Sequence, residues 1–337
     1  MRSSRHSRIA VAIPEVIAAL VTVAVIIAIL AVLTADNRRR SRSAASLDNL
    51  RFFGSGTQTY AADHNNRFWT FSWTAGGQES EYPDLNVAAS DLEAAANQAV
   101  DIIRRLGHTP EIPRITTWVP HVQYSYLALY DHLGMSVPSR IAVSPEDRTR
   151  LSWQRDTAGF LALPVRPFGN EGGVLRWIYS SSYEIGPAFW SPDAAVGNQQ
   201  TVANSGSHSI YLVPPNATFG NRTLDQVRFP ASKAHLWDSH QRDLGNRVPF
   251  FAVQEARVPV LCVDGSVGLR SARYTNPGFN PNSPPSPLAL TFPYSPDVLW
   301  EPGPVSGQAQ DQVQGRQRYT RWGLRGRDFN GPEVTAP

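Results

Sequence analysis

Apolar positions are unevenly spread along the chain. From Val16 to Leu33 the sequence VIAALVTVAVIIAILAVL carries no charge, and as a helix rising 1.5 Å per residue it is about 27 Å long, close to the thickness of a bilayer core. A membrane-spanning helix over 11–35 is the expectation. A cleaved secretory signal has a shorter apolar core, roughly 7–15 residues, whereas this run is longer and is followed by arginines. Beyond it, Leu47, Leu50, Phe53 and Tyr60 recur at helical spacing and predict a narrow apolar stripe that a sheet would cover. Gly54 and Gly56 each weaken a helix by about 1 kcal/mol and predict a kink or early fraying.

Farther on the pattern shortens. NVAASDLEAAANQAVDIIRRL, 86–106, puts Leu92, Ala95, Ala99 and Ile102 on one face of a helix that stops at Gly107, with Asp91 able to cap part of it. HVQYSYLALYDHLG reads equally as a buried strand or a short helix. Ser144, Pro145 and Asp147 form an N-terminal capping pattern, with Trp153 on the inward face of the helix that follows. Between 174 and 213, segments such as LRWIYSSSYEI show the alternation of short strands. In VPVLCVDGSVGLR, 258–270, Asp264-Gly265 is a two-residue hairpin turn, which pairs Cys262 with Val267 and Val260 with Leu269; Leu261 and Val263 take the other face. From 274 onward, 11 of 64 residues are Pro, against 16 in the preceding 273, so no sheet ladder is expected there. Phe292, Tyr294, Trp300 and Trp322 nonetheless give that tract enough aromatic surface to wrap the domain as an extended belt.

Composition narrows the possibilities. With 337 residues, 42% hydrophobic and 18% charged, the chain is not a low-hydrophobicity disordered one. A net charge of +3 over this length is too weak to imply nucleic acid as a partner. Lys233 is the only lysine among 31 basic residues, a bias read as that of an Arg-favouring genome. Arg2, Arg5 and Arg8 precede the apolar run and Arg38, Arg39, Arg40 and Arg42 follow it, so the positive-inside rule sets no orientation. Cys262, the sole cysteine, excludes an intramolecular disulfide and a cysteine zinc cage.

Catalytic patterns are sparse. His235, Asp238 and His240 form the most tempting cluster, but the two histidines face apart on either a helix or a strand, a poor chelate. Asp63, Asn65 and Asn66 fit a helix end better than a calcium loop. No Gly-x-Ser-x-Gly turn, phosphate-binding Gly loop followed by Lys, or His-Glu-x-x-His occurs, and Cys262 sits in an apolar strand. The sequence therefore reads as a non-enzyme without cofactor, metal or catalytic residues.

The N-terminus has a further order. A short basic leader is followed by a small residue, Ala10, then Val11, then Glu15, then the apolar run. This arrangement resembles the prepilin-type N-terminus of type IV pilins and type II secretion pseudopilins. Downstream, Leu47, Asp48, Asn49, Leu50, then Tyr60, Ala61, Asp63, Asn65, Arg67 and Phe68 are similar to the second half of the long helix in the pilin-like proteins abundant in planctomycetes, and the Asp264-Gly265 hairpin is similar to their C-terminal signature. Departures are Ala10 for Gly, Pro14 before Glu15, Ala45 or Ser46 and Ser144 where relatives carry Cys, and Gln254 where they carry His.

The resemblance implies processing by a prepilin peptidase between Ala10 and Val11, with Glu15 pairing with a neighbour's terminal amine in a filament. It implies an α+β fold: a basic leader (1–10), a transmembrane helix (11–35), its extracytoplasmic continuation (36–66), a head with an antiparallel sheet (67–273), and a Pro-rich extended region (274–337). The expected function is that of a structural pilin-like or pseudopilin subunit assembling through its N-terminal helix into a type IV pilus or type II secretion filament. Its partners would be the inner membrane, the peptidase and other subunits, with the N-terminus cytoplasmic and the head extracytoplasmic. The alternative is an uncleaved single-pass anchor presenting an extracytoplasmic binding domain.

Overall fold

The computed structural model describes residues 13–169, 171–192, 201–214, 219–220, 222–297 and 299–334, without the side chains of 13–16, 19, 32, 35, 36 and 171. Backbone contacts divide the chain into two units, Met1–Ala44 and Ala45–Pro337. Helix α1, Ile13–Asp63, contributes to both. The second unit is α+β with antiparallel sheets.

The expected membrane span is corrected here. Among the described residues no helix is long and apolar enough to cross a membrane. Beyond the apolar run the helix continues through Arg38, Arg39 and Arg40 into the second unit. A transmembrane helix and a single-pass inner-membrane placement of the chain are therefore not supported.

Within the second unit, α1 runs through Gly54 and Gly56 to Asp63 with no break, against the predicted kink. Both glycines face the core. A Cβ at Gly54 would lie 3.0 Å from Leu261 Cδ1, and one at Gly56 2.8 Å from Leu129 Cδ2. They are close-packing positions, where the lost helix propensity is offset by contact. Asn65 and Asn66, at φ 54° and 61°, terminate the helix as expected, and the Asn66 amide donates to the Ala61 carbonyl at 2.8 Å.

Helix α2, Asp91–Gly107, is capped by Ser90, whose hydroxyl accepts the Glu93 amide, and it buries Ala95, Ala99 and Ile102. The ambiguous aromatic run resolves as two short helices, α3 at His121–Tyr124 and α4 at Tyr126–Leu133. Helix α5, Arg148–Arg155, starts later than Ser144 suggested: Asp147 is the cap, accepting the Arg150 amide at 3.1 Å, and Trp153 is fully buried. LRWIYSSSYEI contributes a 3₁₀ turn, Leu175–Tyr179, and only one short strand, β1 at Tyr183–Ile185.

Two minor strands, β2 at Ala203–Asn204 and β3 at Tyr211–Leu212, pair with each other. The main sheet combines β1 with β4, Ala234–Asp238, β5, Arg257–Cys262, and β6, Val267–Ser271, all antiparallel in the order β1-β4-β5-β6. The β5–β6 hairpin forms with its register one residue from that expected: Leu261 opposes Val267 and Pro259 opposes Leu269. The turn takes three residues because Gly265, at φ 85°, adds a left-handed position, with its amide on the Cys262 carbonyl and the Ser266 carbonyl receiving the Cys262 amide. Asp264 secures it by accepting from the Ser266 amide and hydroxyl.

Both faces of the sheet are covered. Leu236, Leu261 and Val263 pack with Leu50, Phe53, Trp69, Leu129 and Tyr130, where Phe53 stacks on Tyr130 at 6.3 Å. Trp237, Val258, Val260 and Cys262 face Phe279, Phe292, Tyr294, Tyr319 and Phe329. The Pro-rich tract is thus a second covering layer, and it makes a ladder after all: β7, Thr291–Tyr294, pairs with β8, Asp311–Gln314. Pro293 opposes Gln312 in a sheet of only two strands, where an absent amide costs least.

Candidate functional site

Two features stand out by chemistry. The first is the exposed part of α1. Ile17, Leu20, Val21, Val23, Val25, Ile26, Ile27, Ile29, Leu30 and Leu33 are each half exposed or more, on every side of the helix. A helix apolar all round is ordinarily a buried element, because leaving it in water forfeits about 1.5–3 kcal/mol per large side chain. Its surface has relief. Ala24, Ala28 and Ala31 form a shallow exposed row beside the ridge of Val23, Ile27 and Leu30.

The second feature is a buried polar network that sequence spacing gave no means to assemble. Asp147 Oδ2 accepts from Arg150 at 2.8 Å and Ser182 at 2.8 Å, and forms an ion pair with Arg242 at 3.1 Å. Arg242 Nε also donates to Asp238 at 3.1 Å, and Arg150 Nε to Ser180 at 3.0 Å. Burial alone would raise the Asp147 carboxyl, but Arg242 and then Arg150 overcome it and hold the group well below the usual carboxylate range. At Asp238 burial prevails over Arg242 and pushes the carboxyl up. Nearby, Arg318 pairs with Glu184 at 2.5 Å and donates to the His208 carbonyl at 2.6 Å.

His240 belongs to this region. The Tyr294 hydroxyl donates to the Pro302 carbonyl at 2.6 Å, which leaves its oxygen to accept from His240 Nε2 at 2.8 Å; His240 Nδ1 then accepts from the Ser239 hydroxyl at 2.9 Å. Burial first, then Arg242, drives its protonation well below the ordinary range. His235 lies elsewhere. It occupies the irregularity of β4 between the pairs Ala234–Cys262 and Leu236–Leu261, within 5.1 Å of the Phe68, Trp69 and Phe189 rings. The three-residue cluster of the sequence is therefore split, and among the described residues no group of three or more His, Cys, Asp or Glu could hold a metal ion.

These charged groups are buried and engaged with one another, which suits cross-linking of the fold and leaves little for a substrate. A cleft of about 630 Å³ beside β6 is lined by Arg257, Arg270, Tyr274 and Phe329 among others, with no carboxylate or imidazole in its walls. Cys262 is buried, and burial pushes its thiol up to about 11, the opposite of an activated nucleophile. Of the other predicted positions, Asp264 and Gly265 form the hairpin turn, Glu15 falls in the first turn of α1, and Ala10 and Val11 lie outside the described residues. No protein-family model, characterised protein or solved structure matches this chain, so no match supports the pilin, secretion and leader-cleavage terms suggested by the sequence.

Proposed function

We propose that the protein is a structural subunit that assembles with copies of itself through its N-terminal helix, in the manner of pilin-like proteins. The observation that carries this reading is the apolar surface of α1, exposed on every side. A partner on one side would leave the rest in water, so the surface calls for several neighbours. Copies of the same helix supply them, because the ridge of Val23, Ile27 and Leu30 and the groove of Ala24, Ala28 and Ala31 are complementary shapes on one element. The motif resemblance of the N-terminus points the same way.

The test is self-association of the full chain. Wild type is expected to sediment as large, regular assemblies. The double variant Ile26→Asp, Leu30→Asp places two carboxylates in the helix contact and is expected to weaken association by at least about 100-fold, since two buried aliphatic side chains are worth about 3–6 kcal/mol. Thermal unfolding of the head should be unchanged. Equal assembly of variant and wild type in sedimentation velocity, or a monomeric wild type, defeats the proposal.

A further inference from the structure

The only lysine of the chain is fully buried, next to a fully buried aspartate. Lys233 Nζ lies 3.3 Å from Asp328 Oδ2, with exposures of 0% and 1% for the two side chains. Thr320 sits between them: Lys233 Nζ donates to Thr320 Oγ1, and Thr320 Oγ1 donates to Asp328 Oδ1 at 2.5 Å. Asp328 Oδ2 accepts the Ala234 amide at 2.9 Å. The Phe189 ring lies 5.7 Å from Nζ. The backbone holds both partners in place, with the Asp328 and Phe329 amides on the Ser232 carbonyl and the Val263 amide on that of Lys233.

We propose that Lys233 and Asp328 condense to an intramolecular amide, a covalent cross-link between the start of β4 and the C-terminal segment. Residue choice is the first argument. The buried ion pairs at Asp147, Asp238 and Glu184 all use arginine, in a chain with 30 arginines and one lysine among its 31 basic residues. A guanidinium serves as well or better for pairing alone, whereas only the amine can become a nucleophile. Genome bias explains why arginine dominates; it does not explain why the single exception lies against a carboxyl in the core.

Environment is the second argument. In an apolar site a neutral amine beside a neutral acid competes with the ion pair, and these are the reactive forms. In keeping with this, burial raises the Asp328 carboxyl despite Lys233. The Nζ lone pair attacks Cγ, forming the C–N bond. The Ala234 amide steadies the charge that develops on Oδ2. One proton passes from Nζ through the Thr320 hydroxyl to Oδ1, which already carries the acid proton and departs as water when its bond to Cγ breaks. The balance is one amide and one water, with no oxidant or reductant. The fixed short approach of the two groups supplies the positioning.

Mass spectrometry of the full-length wild-type protein, proteolysed after denaturation, provides the test. The expected result is a branched peptide joining the segments of Lys233 and Asp328, lighter than their sum by one water. Lys233→Arg, which keeps the charge and cannot form the amide, should give two separate peptides of full mass. Asp328→Asn should lose ammonia instead and yield the same branched product as wild type. Thr320→Val should slow its appearance at least about tenfold if the hydroxyl carries the proton. Unlinked peptides at full mass from folded wild type overturn the proposal, and this outcome requires no variant to fold.

Discussion

Asp147→Ala is expected to destabilise the head by about 3–5 kcal/mol, the range for removing one partner of a buried charge cluster. The carboxylate holds Arg150 and Arg242 together and also receives the Ser182 hydroxyl and the Arg150 amide in the first turn of α5. Without it two buried guanidiniums repel each other and the helix loses its cap. Thermal unfolding should fall by about 6–20 °C, at about 2–4 °C per kcal/mol for a domain of this size. The exposed pair Asp48–Arg51 is the control, where Asp48→Ala should change stability by less than about 1 kcal/mol. Because the folded carboxyl of Asp147 titrates below its unfolded value of about 4, its contribution is present at neutral pH and is lost as pH falls below about 4. A melting temperature unchanged in Asp147→Ala would mean that the network contributes nothing to stability.

What could be read in advance divides along a physical line. Local signals were legible: the stripe of Leu50 and Phe53, the existence and C-terminal end of the helix that stops at Gly107 though not its start, the asparagines after Asp63, and the Asp264-Gly265 turn with the two faces of β5 all follow from period and turn chemistry. The register of that hairpin was not, since it depends on whether Gly265 is counted in a two-residue or three-residue turn. Gly54 and Gly56 illustrate the limit better. Propensity marks them as weak points, and only the distant Leu261 and Leu129 side chains show why they are there. The same holds for Asp147 with Arg242, Glu184 with Arg318, and Lys233 with Asp328, pairs far apart along the chain and brought together only by the fold. The apolar run was equally plain in sequence, yet its role depends on what surrounds the helix, which periodicity does not encode.

Replacing His121 and His235 by Phe is expected to flatten the acid side of the stability curve. Both imidazoles are fully buried, and neither ring has a hydrogen-bond partner on either nitrogen. His121 stacks on Trp190 at 4.5 Å with Phe71 and Phe219 around it; His235 is enclosed by Phe68, Trp69 and Phe189. Burial lowers each to about 3. The unfolded chain takes up these protons near pH 6.5 while the folded chain refuses them until about pH 3, so the stability present above pH 6.5 is lost progressively as pH falls between those values. At about 1.4 kcal/mol per pH unit and group, the pair removes on the order of 5 kcal/mol by about pH 4.5. Carboxylates such as Asp147 act only at lower pH, so wild type should begin to lose stability near pH 6. The double variant should lose clearly less over the same interval, keeping only the slope that the remaining buried groups impose. At neutral pH it should also gain about 1–3 kcal/mol per site, because each substitution removes buried nitrogens that have no partner and keeps the ring. Melting temperatures measured from pH 7.5 to 4.5 decide the matter: equal slopes for wild type and the double variant would show that these histidines are not the acid-sensitive groups. The residual slope of the variant then reports His240, whose nitrogens are both bonded and whose burial resists protonation in the same direction.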